Sequence, residues 1–158
     1  MAASNPSVSE PAAEKPWHAA YPAPKSTAAV ITRESLLSWM MQEGKLAGKN
    51  FVLVDLRRTD FEGGTIRGSI NLPAQSLYST IPSLYTLFST AGIRTVIWYC
   101  GSSRGRGNRA AGWFADYIKE QNNTEIESRT LEGGIKGWAA GGSKYVKMMD
   151  EYDAAAWK

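Results

Sequence analysis

Short apolar runs alternate with helical patterns along most of this chain. The runs at 51–56 (FVLVDL) and 95–99 (TVIWY) are too short for helices. The second is rich in β-branched and aromatic residues, and both predict buried strands. Apolar residues at helical spacing over 33–42 and 110–118 predict helices. Strands separated by helices form parallel sheets, so the pattern predicts an α/β fold with a mostly parallel sheet and helices on both faces.

Further elements continue this alternation. Helical spacing over 76–88, interrupted by Pro82, predicts an imperfect helix, and 124–131 predicts another strand. We expect a short helix between the Gly-Gly pairs at 133–134 and 141–142, and a last helix over 145–157 that packs on the domain.

The first 27 residues differ in composition from the rest of the chain. They hold five of the seven prolines, many alanines and few large aliphatic side chains. Such a segment buries too little apolar surface to offset its ordering entropy. We therefore expect a flexible Pro/Ala-rich tail over 1–27, from which Trp17 and Tyr21 can dock on the domain, and a single domain over 28–158 with a C-terminal helix. His18 lies in the tail, so no catalytic role is expected for it.

Composition excludes several classes of protein. One cysteine and one histidine cannot form a disulfide or a Cys/His zinc site, so no metal is expected. A net charge of +3 with 21% charged residues does not fit a nucleic-acid coat. The apolar runs are too short to cross a membrane, and the N-terminus has no secretory pattern. We expect a cytoplasmic protein, with the nucleus also open, without a tightly bound cofactor.

The sequence YCGSSRGRG at 99–107 carries the candidate chemistry. Cys100 follows a predicted strand directly, and α/β sheets bind ligands at the C-terminal ends of their strands. Gly and Ser let backbone N–H groups converge into an anion nest, to which the next helix adds its N-terminus. Residues 100–110 hold three arginines and no acid, which favours the thiolate form of Cys100. The loop therefore predicts a nucleophile inside an oxyanion cradle.

The competing interpretation is structural. Most lone cysteines at strand ends are small buried hydrophobic residues. A structural cysteine requires neither a Gly-Ser-Ser turn nor a dense group of arginines, so the loop favours the catalytic interpretation of Cys100.

Three stretches resemble the rhodanese-fold proteins. The segments VLVDLR at 52–57 and FEGGTIRGSINLP at 61–73 resemble the first signature of that family. The Cys100 loop occupies its active-site position, and LEGGIKGW at 131–138 resembles its closing signature. The likeness spans about residues 28–141 and implies the three-layer rhodanese-like fold.

The length of the loop divides this family. Rhodanese sulfurtransferases place four residues between Cys and the closing Arg, whereas five separate Cys100 from Arg106 here. The longer loop is similar to that of the M-phase inducer phosphatases and of the arsenate reductases of fungi and plants. This resemblance implies that Cys100 is the nucleophile and Arg106 the oxyanion clamp. It also implies a substrate-binding cradle made by the loop residues Gly101, Ser102, Ser103, Arg104 and Gly105.

The chain departs from the phosphatase pattern at three points. Tyr99 stands where these phosphatases have His. Thr65 replaces the His of the Gly-His-Ile signature, and the loop has no acidic residue. Without a placed acid, hydrolysis of a poorly activated phosphate ester loses proton assistance of about 10²–10⁴-fold. Arsenate is affected less, because thiol attack on it expels a water-like oxygen.

Four charged residues have alternative roles. Asp55 and Arg57 end a strand near the expected site, where they either support the loop or pair locally. Asp60 and Glu62 are candidate proton donors from outside the loop, or turn and rim residues. Arg104 either recognises an anionic second substrate or is a solvated charge.

We expect a cysteine-dependent oxyanion enzyme. The leading hypothesis is an arsenate reductase that forms an adduct on Cys100 and uses glutathione as co-substrate, with glutaredoxin as a possible partner, because the chain has no second cysteine. The alternative is a cysteine-based protein phosphatase acting on a phosphoprotein. Sulfur transfer and a non-catalytic rhodanese-like interaction domain are the remaining hypotheses.

Overall fold

The computed structural model describes residues 16–158, in which strands and helices alternate. The strands are β1 (Ala29–Ile31), β2 (Phe51–Asp55), β3 (Thr65–Ile66), β4 (Ile70–Asn71), β5 (Thr95–Tyr99), β6 (Glu127–Leu131) and β7 (Met149–Asp150). The helices are α1 (Arg33–Met41), α2 (Ile81–Thr90), α3 (Arg106–Glu120), α4 (Gly134–Ala139) and α5 (Ser143–Val146). Short 3-10 helices lie at Trp17–Ala20, Ala74–Ser76, Tyr78–Thr80 and Ala154–Trp157. Within residues 16–158, no helix is long and apolar enough to cross a membrane.

The main sheet has five parallel strands in the order β1-β6-β5-β2-β4. The central strand, β5, pairs with β2 over its whole length, so that Asp55 stands opposite Tyr99, and with β6 on its other side. Because the strands are parallel, the residues that follow β2 and β5 meet at the same edge of the sheet. The predicted α/β fold is confirmed.

Side chains of β5 alternate between the two faces of the sheet. Trp98 and Cys100 belong to the apolar cluster that α2 and α3 cover, whereas Ile97 and Tyr99 belong to the cluster that α1, α4 and α5 cover. This alternation follows from the two-residue repeat of a strand. It directs Cys100 toward α3, the helix that begins at Arg106.

Two helices differ from their predicted bounds. The helix predicted over 110–118 begins earlier, at Arg106. The apolar pattern does not reveal this first turn, because its Gly and Arg residues carry no apolar periodicity. The helix predicted over 76–88 begins at Ile81. Pro82 lies in its first turn, where a missing N–H costs no intrahelical hydrogen bond.

The helix predicted over 145–157 is wrong. α5 ends at Val146, β7 pairs antiparallel with β3, and the chain closes with the 3-10 helix that contains Trp157. The Trp157 Nε1–H donates to the Gly63 carbonyl at 2.8 Å. The pairing with β3 and the Trp157 hydrogen bond are tertiary contacts that a continuous helix over 145–157 would not make. These contacts override the local helical pattern.

The segment 16–27 runs along α3. The Trp113 Nε1–H donates to the Pro22 carbonyl at 2.8 Å, and the N–H groups of Lys25 and Ser26 each donate to the Asp116 carboxylate at 2.8 Å. A Cβ on Gly112 would lie 2.7 Å from the Pro24 side chain, so the absence of one permits this close approach. Of the tail predicted over 1–27, residues 1–15 lie outside the described residues, and 16–27 contact the domain.

Candidate active site

The loop between β5 and α3 surrounds the sulfur of Cys100. This residue is only 3% exposed. Its Sγ accepts a hydrogen bond from the Ser103 N–H at 3.2 Å, and its own N–H donates to Ser103 Oγ at 3.4 Å. Ser103 has a φ of +62°, and Gly107 leaves room for its side chain, since a Cβ there would lie 3.0 Å from Ser103 Cβ. The loop thus folds back so that a backbone amide points at the sulfur.

Several amides of the loop are available to a ligand. Within residues 16–158, the N–H groups of Gly101, Ser102 and Gly105 donate no hydrogen bond, and no side chain caps α3. The first turn of α3 contains Arg106 and Arg109 and no acid. Cations are unfavourable at the positive end of a helix dipole. A bound anion would satisfy both the free amides and this excess of positive charge.

Backbone N–H groups at the start of α4 bind the first two residues of the Cys100 loop. The N–H of Ile135 donates to the Cys100 carbonyl and that of Lys136 to the Gly101 carbonyl, both at 3.0 Å. Gly134 has a φ of +58°, and a Cβ on it would lie 2.5 Å from the Cys100 carbonyl oxygen. Gly134 therefore permits a close approach of α4 to the loop, and the two hydrogen bonds from α4 fix the loop backbone.

Arg106 faces the loop and forms two parallel hydrogen bonds with Asp60. Its Nη1 and Nη2 donate to the two carboxylate oxygens at 2.9 and 2.5 Å. These hydrogen bonds hold the pKa of the Asp60 carboxyl well below its ordinary value. Asp60 in turn raises the pKa of Arg106, with a smaller contribution from Cys100. Both groups are charged at neutral pH, and the fork of the predicted oxyanion clamp is bound to a carboxylate.

Asp55 and Arg57 form a buried ion pair at the end of β2. Arg57 Nη2 lies 2.8 Å from Asp55 Oδ2, and the two side chains are 2% and 0% exposed. Arg57 also donates to the carbonyls of Glu62 at 2.9 Å and Gly64 at 2.7 Å. The pair therefore holds the 58–64 loop, which carries Asp60, against the sheet. Asp55 and Arg57 therefore pair with each other, which is one of the two predicted alternatives. The loop that they support is 58–64, not the Cys100 loop.

Tyr99 and Thr65, two of the three departures from the phosphatase pattern, contact each other. Their hydroxyl oxygens lie 2.9 Å apart. Thr65 donates its own proton to Asp55 at 2.8 Å, so the Tyr99 hydroxyl is the donor to Thr65. Tyr99 in turn accepts from the hydroxyl of Ser69 at 2.6 Å and from the N–H of Ile66 at 3.3 Å. Burial raises the pKa of Tyr99 above its ordinary value, so the phenol stays protonated.

Two cavities flank the Arg106–Asp60 pair. One, of about 570 Å³, is lined by Arg57, Glu62, Lys136 and Trp157 among others. The other, of about 540 Å³, has Cys100 in its wall and is also lined by Trp17, His18, Gln75 and Arg109. Both contain Ser102, Arg106 and Asp60.

The predicted site residues divide into two groups. Cys100, Gly101, Ser102, Gly105 and Arg106 line one or both cavities, and Ser103 contacts the sulfur. Arg104 is exposed and lies outside both linings. Sequence reasoning missed the contributions of Trp17, His18, Gln75 and Trp157, because each is distant from the loop in the chain and carries no motif. The catalytic and binding roles themselves stay predictions.

Two curated proteins share sequence with this chain. Arsenical-resistance protein 2 of Saccharomyces cerevisiae is 34% identical over 97 residues, which cover 57% of this chain and 75% of the yeast protein. Arsenate reductase 2.1 of Oryza sativa subsp. japonica is 32% identical over 90 residues, covering 54% of this chain and 53% of the rice protein. The match thus spans about half of the rice protein.

Solved structures show the same fold at low identity. The As-Sb reductase from Leishmania major matches with a TM-score of 0.68 at 21% identity, covering 77% of this chain and 84% of that chain. Ygr203w, a yeast protein tyrosine phosphatase of the rhodanese family, matches with a TM-score of 0.68 at 21% identity, covering 84% and 99%. The family model of the rhodanese-like domain matches residues 35–141. The three motifs, the fold and this match agree, and the chain belongs to the rhodanese-like domain family.

Proposed function

We propose that this protein is a cysteine-dependent oxyanion enzyme that reduces arsenate with an external thiol. The observation that carries the proposal is the anion site at the start of α3. Loop amides without a partner among the described residues, an uncapped helix end and the Arg106 fork all lie in the loop and first helical turn that follow Cys100. Such a cradle suits a tetrahedral oxyanion. The two sequence relatives, which are named for arsenic resistance and arsenate reduction, support arsenate as that oxyanion.

In the proposed reaction the Cys100 thiolate attacks arsenic. An S–As bond forms and one oxygen leaves as water after taking up protons. The S–As bond then breaks with its electron pair remaining on arsenic, which becomes As(III) and leaves as arsenite. In the same step an S–S bond forms between Cys100 Sγ and the sulfur of glutathione. A second thiol attacks this disulfide, releases oxidised glutathione and restores the Cys100 thiolate, so two thiols supply the two electrons.

The thiols come from outside the chain because Cys100 is its one cysteine. A second protein cysteine that resolves the disulfide would have to belong to another molecule. Glutathione, alone or with glutaredoxin, is the reductant we propose.

The position of Asp60 supports arsenate over a phosphate ester. An ester substrate with a poor leaving group gains about 10²–10⁴-fold in rate from an acid that protonates that group. Asp60 is the carboxyl that faces Arg106, and this pairing keeps its pKa low and the group ionised at neutral pH. While it is paired it cannot donate a proton. Arsenate reduction expels water and depends less on such an acid.

Two assays on the same preparation test the proposal. We expect arsenate-dependent oxidation of reduced glutathione, measured by coupling oxidised glutathione to NADPH consumption, and little hydrolysis of an aryl phosphate. Cys100→Ser is the control variant, in which both reactions should fall to the rate without enzyme. Hydrolysis of the aryl phosphate without arsenate-dependent oxidation of glutathione would make the phosphatase function correct instead.

A further inference from the structure

The cavity that contains Cys100 in its wall has features that neither the oxyanion nor the sulfur requires. Its lining also includes Trp17 and His18, from the segment that runs along α3, together with Gln75 and Arg109. Arg109 is half-buried, and within residues 16–158 it has no ion-pair partner. In this part of the chain its guanidinium thus has no internal anion to compete with a ligand, and an arginine fork binds carboxylates in two-pronged geometry.

Gln75 adds a second unsatisfied group on this cavity. Its Oε1 is shielded from solvent and has no hydrogen-bond partner within the described part of the chain. An unpaired buried acceptor costs about 1–3 kcal/mol. The last torsion of a glutamine side chain has a broad profile, and a half-turn about it would exchange the positions of this oxygen and of the amide nitrogen in the residue that lines the cavity.

The wall made by Trp17 and His18 is fixed in place. The Trp17 ring packs edge-on against Trp113 at 6.1 Å between centroids, and the Trp113 Nε1–H bonds to the segment at Pro22. Further along, the Asp116 carboxylate accepts from Lys25 and Ser26. These anchors make the segment a wall of the cavity.

We propose that this cavity binds the peptide part of the reducing thiol, a small thiol peptide of the glutathione class. The inference rests on the proposed function. In the disulfide between Cys100 and such a thiol, the peptide must extend from Sγ into the cavity that Cys100 lines. Its carboxylates match Arg109 and the ring N–H of His18, and its peptide groups match the side-chain amide of Gln75, whose oxygen has no partner within the described residues.

The size and charge of the cavity agree with this occupant. About 540 Å³ lies within the range of small-ligand sites. The Asp60 carboxylate also lines the cavity, but both its oxygens accept from Arg106. Asp60 is therefore neutralised, and Arg109 is left to attract an anionic thiol.

Thiol exchange at Cys100 tests the site without arsenate. The single cysteine allows Cys100 alone to be converted to its methyl disulfide, whose small uncharged methylthio group leaves the cavity open. Mass spectrometry of the protein then gives the rates at which glutathione and 2-mercaptoethanol, a neutral thiol without carboxylates, displace methanethiol from Cys100. The measured quantity is the ratio of these two rates, corrected by the same ratio for a small methyl disulfide in solution.

Arg109→Gln and Gln75→Leu are the test variants. We expect each to lower the glutathione to mercaptoethanol ratio, by about tenfold for Arg109→Gln, because the glutathione rate falls more than the mercaptoethanol rate. Arg94→Gln is the matched control, because Arg94 is an exposed arginine before β5, at the opposite edge of the sheet. This variant should keep the wild-type ratio.

A wild-type ratio in both test variants, or an equal fall of both rates, would overturn the proposal. Its failure is distinct from failure of the proposed function. If the thiol preference depends on Arg109 but the protein does not reduce arsenate, the cavity assignment holds and the proposed function fails. Arsenate reduction with an unchanged ratio would remove the cavity assignment alone.

Discussion

Arg106 and Asp60, 46 residues apart in the chain, form a two-pronged ion pair directly beside the candidate nucleophile. The planar carboxylate occupies the same fork that a tetrahedral oxyanion would use. Arg106 is thus held toward the loop by an internal anion, and a bound oxyanion has to compete with Asp60 for it.

Removing the charge of Asp60 should strengthen oxyanion binding. In Asp60→Asn, we expect phosphate or arsenate to protect Cys100 from alkylation by iodoacetamide at about fivefold lower concentration, because an exposed ion pair of up to about 1 kcal/mol no longer competes. Since the pairing with Arg106 lowers the pKa of Asp60, the carboxylate competes with the oxyanion at every pH above that pKa. This competition is lost only as the pH falls through the lowered pKa. The difference from wild type should therefore persist between about pH 5 and pH 8.

Glu120→Gln provides the charge control for this experiment. Glu120 is exposed at the other end of α3, and its loss should leave the protection unchanged. Weaker protection in Asp60→Asn would mean that Asp60 mainly positions Arg106.

Replacing the fork by a single ammonium should impair the enzyme. We expect Arg106→Lys to lower kcat/KM for arsenate by about 100-fold, because lysine keeps the charge but cannot bind two oxygens in one plane. Initial rates at several arsenate concentrations measure the change. An unchanged kcat/KM would remove Arg106 from its assigned role.

A methyl group at position 134 should displace the Cys100 loop. Gly134→Ala places a Cβ against the Cys100 and Gly101 carbonyl oxygens at positive φ. We expect the free energy of unfolding to fall by about 3 kcal/mol or more, measured by urea denaturation. Gly92→Ala is the matched control, since Gly92 also has positive φ but open space around it. It should lose only about 1–2 kcal/mol. Equal losses in the two variants would contradict this packing argument.

The hydroxyl of Tyr99 should stabilise the fold over the whole neutral range. Tyr99→Phe leaves Ser69 and Ile66 without their acceptor, so we expect a loss of about 1–3 kcal/mol in the free energy of unfolding. Because the folded-state pKa of Tyr99 is raised, its contribution is complete below the ordinary tyrosine pKa of about 10. The contribution is lost only as pH rises through the raised value.

Urea unfolding at several pH values checks this stability difference. It should stay constant between about pH 6 and pH 9. A difference that shrinks within that interval would show that the phenol ionises there.

The sequence by itself determined the order of strands and helices and the composition of the Cys100 loop. Strand and helix periods are local properties, and the nucleophile, the five loop residues and the arginine are contiguous between Cys100 and Arg106. The parallel sheet then followed from the alternation of elements. The family was recognisable for the same reason, since each of its three motifs is a short continuous stretch.

Only the tertiary structure decided which residues surround that loop. The pairing of Asp60 with Arg106, the contact of Tyr99 with Thr65 and the placement of Trp17 beside the Cys100 cavity join residues distant in the chain. The strand β7 replaced a predicted helix for a similar reason, because its partner β3 lies more than eighty residues earlier. Such contacts leave no periodic mark in the sequence. They are selected by burial and by the need of each polar group for a partner in the folded chain.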